Sequence, residues 1–266
     1  MKGRVLIVAG SDSGGGAGIQ ADIKAVTTLG GFAMTAITAL TAQNTEGVFA
    51  IHDVPADFLA RQMQVVLTDI GADCVKIGML HRPDIVEAVC DTLAELAAGV
   101  PVVVDPVMVA KGGASLLADD AMNALKEQMV PRAALLTPNL PEAEALTGRA
   151  APGVEDAEDL AKSLLDLGPE AVLLKGGHRE GAEVMDLLLQ ASGAAKKFTS
   201  PRIDTVHTHG TGCTLASAIA CGIAQGLALE AAVSRARDYV IEAIRTAPGF
   251  GHGHGPLNHA HTMVER

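Results

Sequence analysis

Short apolar runs alternate with amphipathic stretches along almost the whole chain. Residues 5–9 form a continuous, partly β-branched apolar run that stops at Gly10, the pattern of a strand buried on both faces. A glycine-rich loop follows, and residues 19–29 read as a helix. Residues 32–42 are a second strand-like run, and 48–54 alternate weakly, as an edge strand or flap would. The pattern then predicts helix 56–69, strand 75–77, helix 84–98, strand 100–104, helix 118–129 and strand 134–136. A helix opened by Asn139 comes next, then helix 154–167 and strand 171–174. Residues 183–189 and 196–200 read as antiparallel strands at a sheet edge. Residues 215–229 are small and apolar enough for a fully buried helix, and 230–245 are amphipathic. No linker or internal repeat interrupts the series. It predicts an α/β fold in one domain over residues 1–266, three layers deep, with a mainly parallel central sheet and antiparallel edge strands.

Ligands of such sheets bind at the carboxyl ends of the strands. Polar clusters fall at those ends: Ser11/Asp12, Gln43/Asn44, Met79, Asp105, Asn139/Glu142 and Lys175. One cluster alone is a turn. Six at the same end of one sheet point to an enzyme with a phosphate-bearing ligand.

The formal charge of −11 argues against nucleic acid or an anionic membrane as a partner. The absence of Trp, with a single Tyr, removes the stacking platforms that single-stranded nucleic acid needs. Phosphate must therefore be held by local amides, a metal and a few cations. Cys74, Cys90, Cys213 and Cys221 show no C-x-x-C spacing, as expected of a reduced, cytoplasmic chain. The apolar stretch after Met1 is too short for a usual signal peptide. Residues 211–233 come nearest to a membrane span, but Gln225, Glu230 and many small residues suit a buried helix better.

The richest stretch is Thr208-His209-Gly210-Thr211-Gly212-Cys213-Thr214, at the entrance to the small-residue helix. The first N–H groups of a helix lack intrahelical partners and carry partial positive charge, so bare glycine backbone there suits an anion. A cysteine in that place is expected to have a lowered pKa. The same letters also describe a plain glycine turn followed by a small buried cysteine, and both readings stay open. The loop from Gly10 to Gly18 lacks the Gly-Lys-Ser/Thr of a P-loop and the strict Gly-x-Gly-x-x-Gly spacing, which leaves a polar loop where backbone approaches a ligand closely. Asp12 in it reads as a turn former. Asp105, Asn139 and Glu142 offer hard oxygens for Mg²⁺, through water. Asn139 and Glu142 equally read as a capping box. Lys175 meets a phosphate or is a solvated loop lysine. His252, His254, His259 and His261 form H-x-H pairs in a glycine-rich tail without a carboxylate or cysteine partner, which weighs against a metal there.

Taken together, residues 10–22, Ala42-Gln43-Asn44-Thr45, residues 76–80, Asp105-Pro106-Val107-Met108, residues 137–143, Lys175-Gly176-Gly177-His178 and residues 208–214 resemble bacterial hydroxymethylpyrimidine/phosphomethylpyrimidine kinases of thiamine biosynthesis. The resemblance runs end to end and includes the Gly-His tail. It implies a ribokinase-like fold, ATP and Mg²⁺ as cofactors, and a cytoplasmic homodimer. It also implies two successive transfers, first to the hydroxymethyl group of the pyrimidine and then to its monophosphate. By motif, Gln43 pairs with the pyrimidine edge, and Gly10, Asp22, Met79 and Val107 complete the substrate pocket. Gly210, Thr211 and Gly212 form an anion hole with Cys213 as base. Lys175, Asn139 and Thr208 meet ATP phosphates, and Asp105 and Glu142 organise the metal. Gly15 departs from the family pattern, where serine is usual, and so does Gly113 after Lys111-Gly112, where Lys-Ser-Gly is usual. A pyridoxal or pyridoxine kinase of the same branch is the alternative activity, and a non-catalytic ligand sensor is the alternative class.

Overall fold

The computed structural model describes residues 1–109, 113, 116, 118, 120–151, 153, 156–178 and 181–263. Its strands are β1 (Arg4–Asp12), β2 (Phe32–Gln43), β3 (Val48–Asp53), β4 (Cys74–Ile77), β5 (Val102–Val104), β6 (Leu135–Leu136), β7 (Ala171–Leu174), β8 (Glu183–Gln190) and β9 (Ala195–Pro201). They form one sheet in the order β3-β2-β1-β4-β5-β6-β7-β8-β9. The six strands from β2 to β7 in that order are parallel, and β3, β8 and β9 add antiparallel edges. The order turns back at β1: β2 lies on one side of it and β4 on the other. At such a reversal the connections leave in opposite directions and open a crevice above the carboxyl ends.

The helices are α1 (Gly18–Thr28), α2 (Ala56–Asp69), α3 (Pro83–Leu96), α4 (Ala121–Ala124), α5 (Leu140–Thr147), α6 (Ala157–Leu165), α7 (Thr211–Ala224) and α8 (Leu229–Arg245). α1, α7 and α8 cover one face, with Ile19, Val26, Ile219, Val233 and Val240 packed on Val5, Ile7 and Val103. α2, α3, α5 and α6 cover the other, where Leu59, Met63, Val89, Leu146 and Leu164 meet Leu6, Val8 and Val104. The alternation along β1 divides its side chains between the two cores.

Three boundaries differ from the sequence pattern. α7 begins at Thr211 rather than at residue 215, because Gly210 takes the left-handed backbone (φ +83°) that starts the helix. It ends at Ala224 because Gly226 is also left-handed and turns the chain so that Leu227 N–H closes on Gly222 O at 3.0 Å. The helix expected at 118–129 is α-helical only over Ala121–Ala124. It widens into a π-turn at Leu125–Met129 and tightens into a 3₁₀ turn at Val130–Arg132, since Pro131 has no N–H to continue the α ladder. Residue 154, the expected start of another helix, lies outside the described residues, as do Lys111 and most of its loop.

Candidate active site

A cavity of about 730 Å³ runs along the carboxyl ends of the parallel strands. Gly10, Gln43, Met79, Asp105, Val107, Asn139, Glu142, Lys175 and Thr208 through Cys213 all border it. Asp22 does not. It is fully buried beneath the cavity floor, where both its oxygens face Lys76 Nζ (2.9 and 3.1 Å) and Ser217 Oγ donates to it at 2.7 Å. The placement of Asp22 against substrate is therefore corrected: it anchors the lysine that reaches the cavity.

Two requirements fix the turn before α7. A Cβ on Gly210 would overlap the Gly16 carbonyl oxygen, and the residue's φ already excludes most side chains. A Cβ on Gly212 would lie 3.3 Å from Lys175 Nζ and 3.4 Å from Asp105 Oδ2, so bare backbone faces that pair. The N–H groups of Thr211 and Thr214 find carbonyls at Thr208 and Gly210. Those of Gly212 and Cys213 have no backbone acceptor among the described residues and remain for a ligand. Gly210→Ala is expected to destabilise the fold by about 1–3 kcal/mol through backbone strain, with the overlap adding to it; thermal melting reads this, and an unchanged melting temperature would show that the turn relaxes freely.

The expectation of a lowered thiol pKa fails. Burial pushes the Cys213 thiol up to about 12, outweighing the pull of the nearby Lys76 ammonium and of the Gly18 N–H aimed at the sulfur. The helix N-terminus is present, but Cys213 is half-buried at the cavity edge, and desolvation there outweighs it. Lys76 itself has no exposed surface; burial works against its charge, yet the charge of Asp22, with that of Asp105 behind it, raises the ammonium pKa above its ordinary value.

Asp105 closes β5 and Lys175 follows β7. Lys175 Nζ lies 2.9 Å from Asp105 Oδ1 and 3.8 Å from Glu142 Oε2. Thr137 Oγ1 donates to the same Asp105 oxygen at 3.2 Å. Asn139 and Glu142 do form a capping box at the start of α5, with Glu142 N–H on Asn139 Oδ1 (2.9 Å) and Asn139 N–H on Glu142 Oε2 (2.7 Å). Capping uses one oxygen of each side chain. Asp105 Oδ2 and Glu142 Oε1 have no hydrogen-bond partner among the described residues, so two hard oxygens remain at the cavity wall. Burial lifts the Glu142 carboxyl to about 7, with Lys175 opposing and Asp105 reinforcing the rise.

At the opposite end β1 carries a bulge between Ala9 and Ser11. A Cβ on Gly10 would lie 2.6 Å from Met79 Cε, so the glycine and the methionine fit only together. Thr41 Oγ1 donates to Gln43 Oε1 at 3.0 Å, and Gln43 Nε2 stands 3.4 Å from His209 Nε2. His209 Nε2 is also 2.8 Å from Asp12 Oδ2. Asp12 is more than a turn former. It gathers the N–H groups of Gly14, Gly16 and Ala17 and ties their loop to His209. Burial alone would raise this carboxyl, but His209 and those N–H groups hold it below its ordinary value.

Sequence reasoning assigned no role to Lys76 or His209. The available signal for Lys76 is one charged residue inside the apolar strand Cys74–Ile77. Sequence reasoning also did not single out the third part of the cavity, lined by Val184, Ile203, Val240, Ile241 and Ile244, with Arg237 fixed to Asp186 at 2.8 Å. Among the described residues, no group of three His, Cys, Asp or Glu side chains is arranged as a metal cage, the tail histidines included.

With this geometry in place, the relatives decide the family. Residues 12–258 match the phosphomethylpyrimidine kinase family. The chain belongs to it. The thiamine biosynthesis bifunctional protein ThiED of Geobacter sulfurreducens is 52% identical over 258 residues, 97% of this chain. The chain spans about half of that longer relative (52%). The hydroxymethylpyrimidine/phosphomethylpyrimidine kinase of Bacillus subtilis is 46% identical over 257 residues, covering 96% of this chain and 94% of the relative. Among solved structures, an ADP complex of Bacillus subtilis pyridoxal kinase superposes with a TM-score of 0.89 at 32% identity, covering 98% of both chains. The parallel sheet with antiparallel edges and helices on both faces is the ribokinase-like fold of these kinases.

Proposed function

We propose that this chain transfers the terminal phosphoryl group of ATP to the hydroxymethyl group of hydroxymethylpyrimidine, and then phosphorylates the monophosphate so formed. The observation that carries the reading is the meeting of three things at one point of the cavity. These are the free N–H groups of Gly212 and Cys213, the Cys213 sulfur, and the Lys175–Asp105 pair. Phosphoryl transfer is mostly positioning and charge stabilisation, and those groups supply both. Gln43 offers an amide to the edge of a pyrimidine whose faces lie against Met79 and Val107. The apolar end, at Val184, Ile203 and Ile241, receives the nucleotide base. Thr208, Thr211 and Asn139 flank the phosphates. Asp105 and Glu142, each with a free oxygen, would hold Mg²⁺ through water, and the ion would offset the negative charge of the phosphates.

Phosphorus NMR of a reaction with ATP, Mg²⁺ and the pyrimidine alcohol tests this directly. A monophosphate followed by a diphosphate is expected, and ADP formation without either product would overturn the reading. The likeness to a pyridoxal kinase supports a second reading in which pyridoxal is the acceptor. A kcat/KM for pyridoxal above that for the pyrimidine alcohol would establish it instead. Gln43→Ala is expected to raise the pyrimidine KM about tenfold and leave ATP affinity within twofold, since one amide contact is worth roughly 1–1.5 kcal/mol; loss of ATP affinity in a binding titration would move Gln43 to the nucleotide end.

The four cysteines are free, three of them buried, which suits work in a reducing cytoplasm. No helix among the described residues is long and apolar enough to cross a membrane. The edge strand β3 with Phe49 70% exposed supports pairing of two copies there, which sedimentation would read as a dimer.

A further inference from the structure

After α8 the tail returns across the molecule and touches each segment that builds the anion turn. Gly253 and His254 N–H groups donate to Thr45, in the turn between β2 and β3. His209 N–H donates to Gly255 O at 3.2 Å, and Pro256 lies in register beside His209. A Cβ on Gly16 would overlap the His209 ring and stand 3.3 Å from Pro256 Cβ, so loop, turn and tail stack without spare room. Asn258 fastens the tail to α8 through Ala243 O (3.0 Å) and Thr246 Oγ1 (3.2 Å). At the end of this path His259, 5% exposed, places Nε2 2.9 Å from Thr214 Oγ1, on the residue after Cys213. Tyr239 O–H donates to the His259 carbonyl at 3.1 Å.

The direction of the His259–Thr214 bond follows from the surroundings. Burial draws the imidazole down to about 4, so it is neutral at working pH, and the nearby Leu257 carbonyl favours a proton on the ring nitrogen that faces it. In the tautomer whose proton faces the Leu257 carbonyl, Nε2 is a bare acceptor and the Thr214 hydroxyl donates to it. Thr214 has no exposed surface, so water offers its hydroxyl nothing. Without His259 the hydroxyl would turn to the carbonyl four residues back, that of Gly210, which already holds Thr214 N–H. That competition falls on the residue whose backbone starts α7.

We propose that His259 is a positioning residue for phosphoryl transfer and that the tail is a strap on the anion turn. By accepting the Thr214 hydroxyl, His259 fixes the first turn of α7 and so the direction of the Gly212 and Cys213 N–H groups. The inference rests on reading that turn as the place of transfer.

The test uses the full chain with His259→Leu, Thr214→Val, the double variant and His259→Gln. The measurements are kcat, KM for ATP, ADP affinity by calorimetry, and melting temperature. Each single variant is expected to lower kcat at least fivefold and weaken ADP binding at least threefold. The double variant should be no worse than the poorer single one, because both remove the same bond. His259→Gln should return kcat to within threefold of the native value, since its amide oxygen accepts the same hydroxyl. Thr214→Val keeps the shape of the side chain and serves where His259→Leu fails to fold. Thr214→Val with kcat and ADP affinity within twofold of native would overturn the proposal, as would losses that multiply in the double variant. If the native chain phosphorylates no pyrimidine alcohol, the assigned reaction fails, while ADP affinity of Thr214→Val against the native chain still decides the strap.

Discussion

Cys213→Ala is expected to slow the first phosphoryl transfer by about 10²–10⁴-fold and leave the second within about tenfold of the native rate. The two acceptors differ in what they must lose. An alcohol oxygen carries a proton that has to go as the new bond forms. The monophosphate has a second pKa near ~6 and arrives already ionised at neutral pH. A base is thus needed once in the pair of reactions. The pH profiles should separate in the same way. With the thiol pushed up to about 12, its ionised fraction grows about tenfold with each pH unit across the working range. The rate with the alcohol should climb with a slope near one between about pH 7 and 9, and the rate with the monophosphate should stay flat. Single-turnover measurements with each acceptor supplied separately give both numbers. Equal losses for the two acceptors in Cys213→Ala would remove the sulfur from proton transfer and leave it the task of shaping the turn.

Lys76→Met should be the most destabilising of the site substitutions. Lys76 and Asp22 have no side-chain exposure, so solvent does not screen the pair. Removing one partner leaves Asp22 buried with only the Ser217 hydroxyl, at a cost of about 3–5 kcal/mol. For a chain of this size that corresponds to a fall of roughly 6–20 °C in melting temperature. Lys76→Met with Asp22→Leu should regain much of the loss, since the pair is removed together. The same lysine favours the Cys213 thiolate, so the single variant should also depress the first transfer at any pH where it stays folded. A melting temperature within 2 °C of the native value would show that the pair contributes little to the fold.

The two variants probe the parts of the molecule that the amino-acid sequence reveals unevenly. Strand ends were legible because burial writes itself as apolar runs, and Asp105, Lys175 and Gln43 each stand where such a run stops. The turn before α7 was legible as bare backbone because two glycines flank one threonine there; that Gly210 is the left-handed residue that starts the helix is what the structure adds. What the letters could not carry is environment. Cys213 looks like an activated thiol beside a helix dipole, and only its half-buried place at the cavity edge shows that desolvation prevails. Asp22 shares a motif with the first loop, yet one turn into α1 its side chain points under the sheet ends, to a lysine 54 residues away. The apolar end of the cavity draws on β8, the segment after β9, and α8, a junction that no local pattern announces.

One feature of the sheet reaches into biosynthesis. Asp12 meets His209 across 197 residues, and His259 holds the helix that His209 precedes. Contacts between such distant stretches form late, after the intervening chain has condensed. In a nascent polypeptide the pocket should therefore be complete only once His259 has left the ribosome. Translation products truncated before His259 should bind nucleotide poorly.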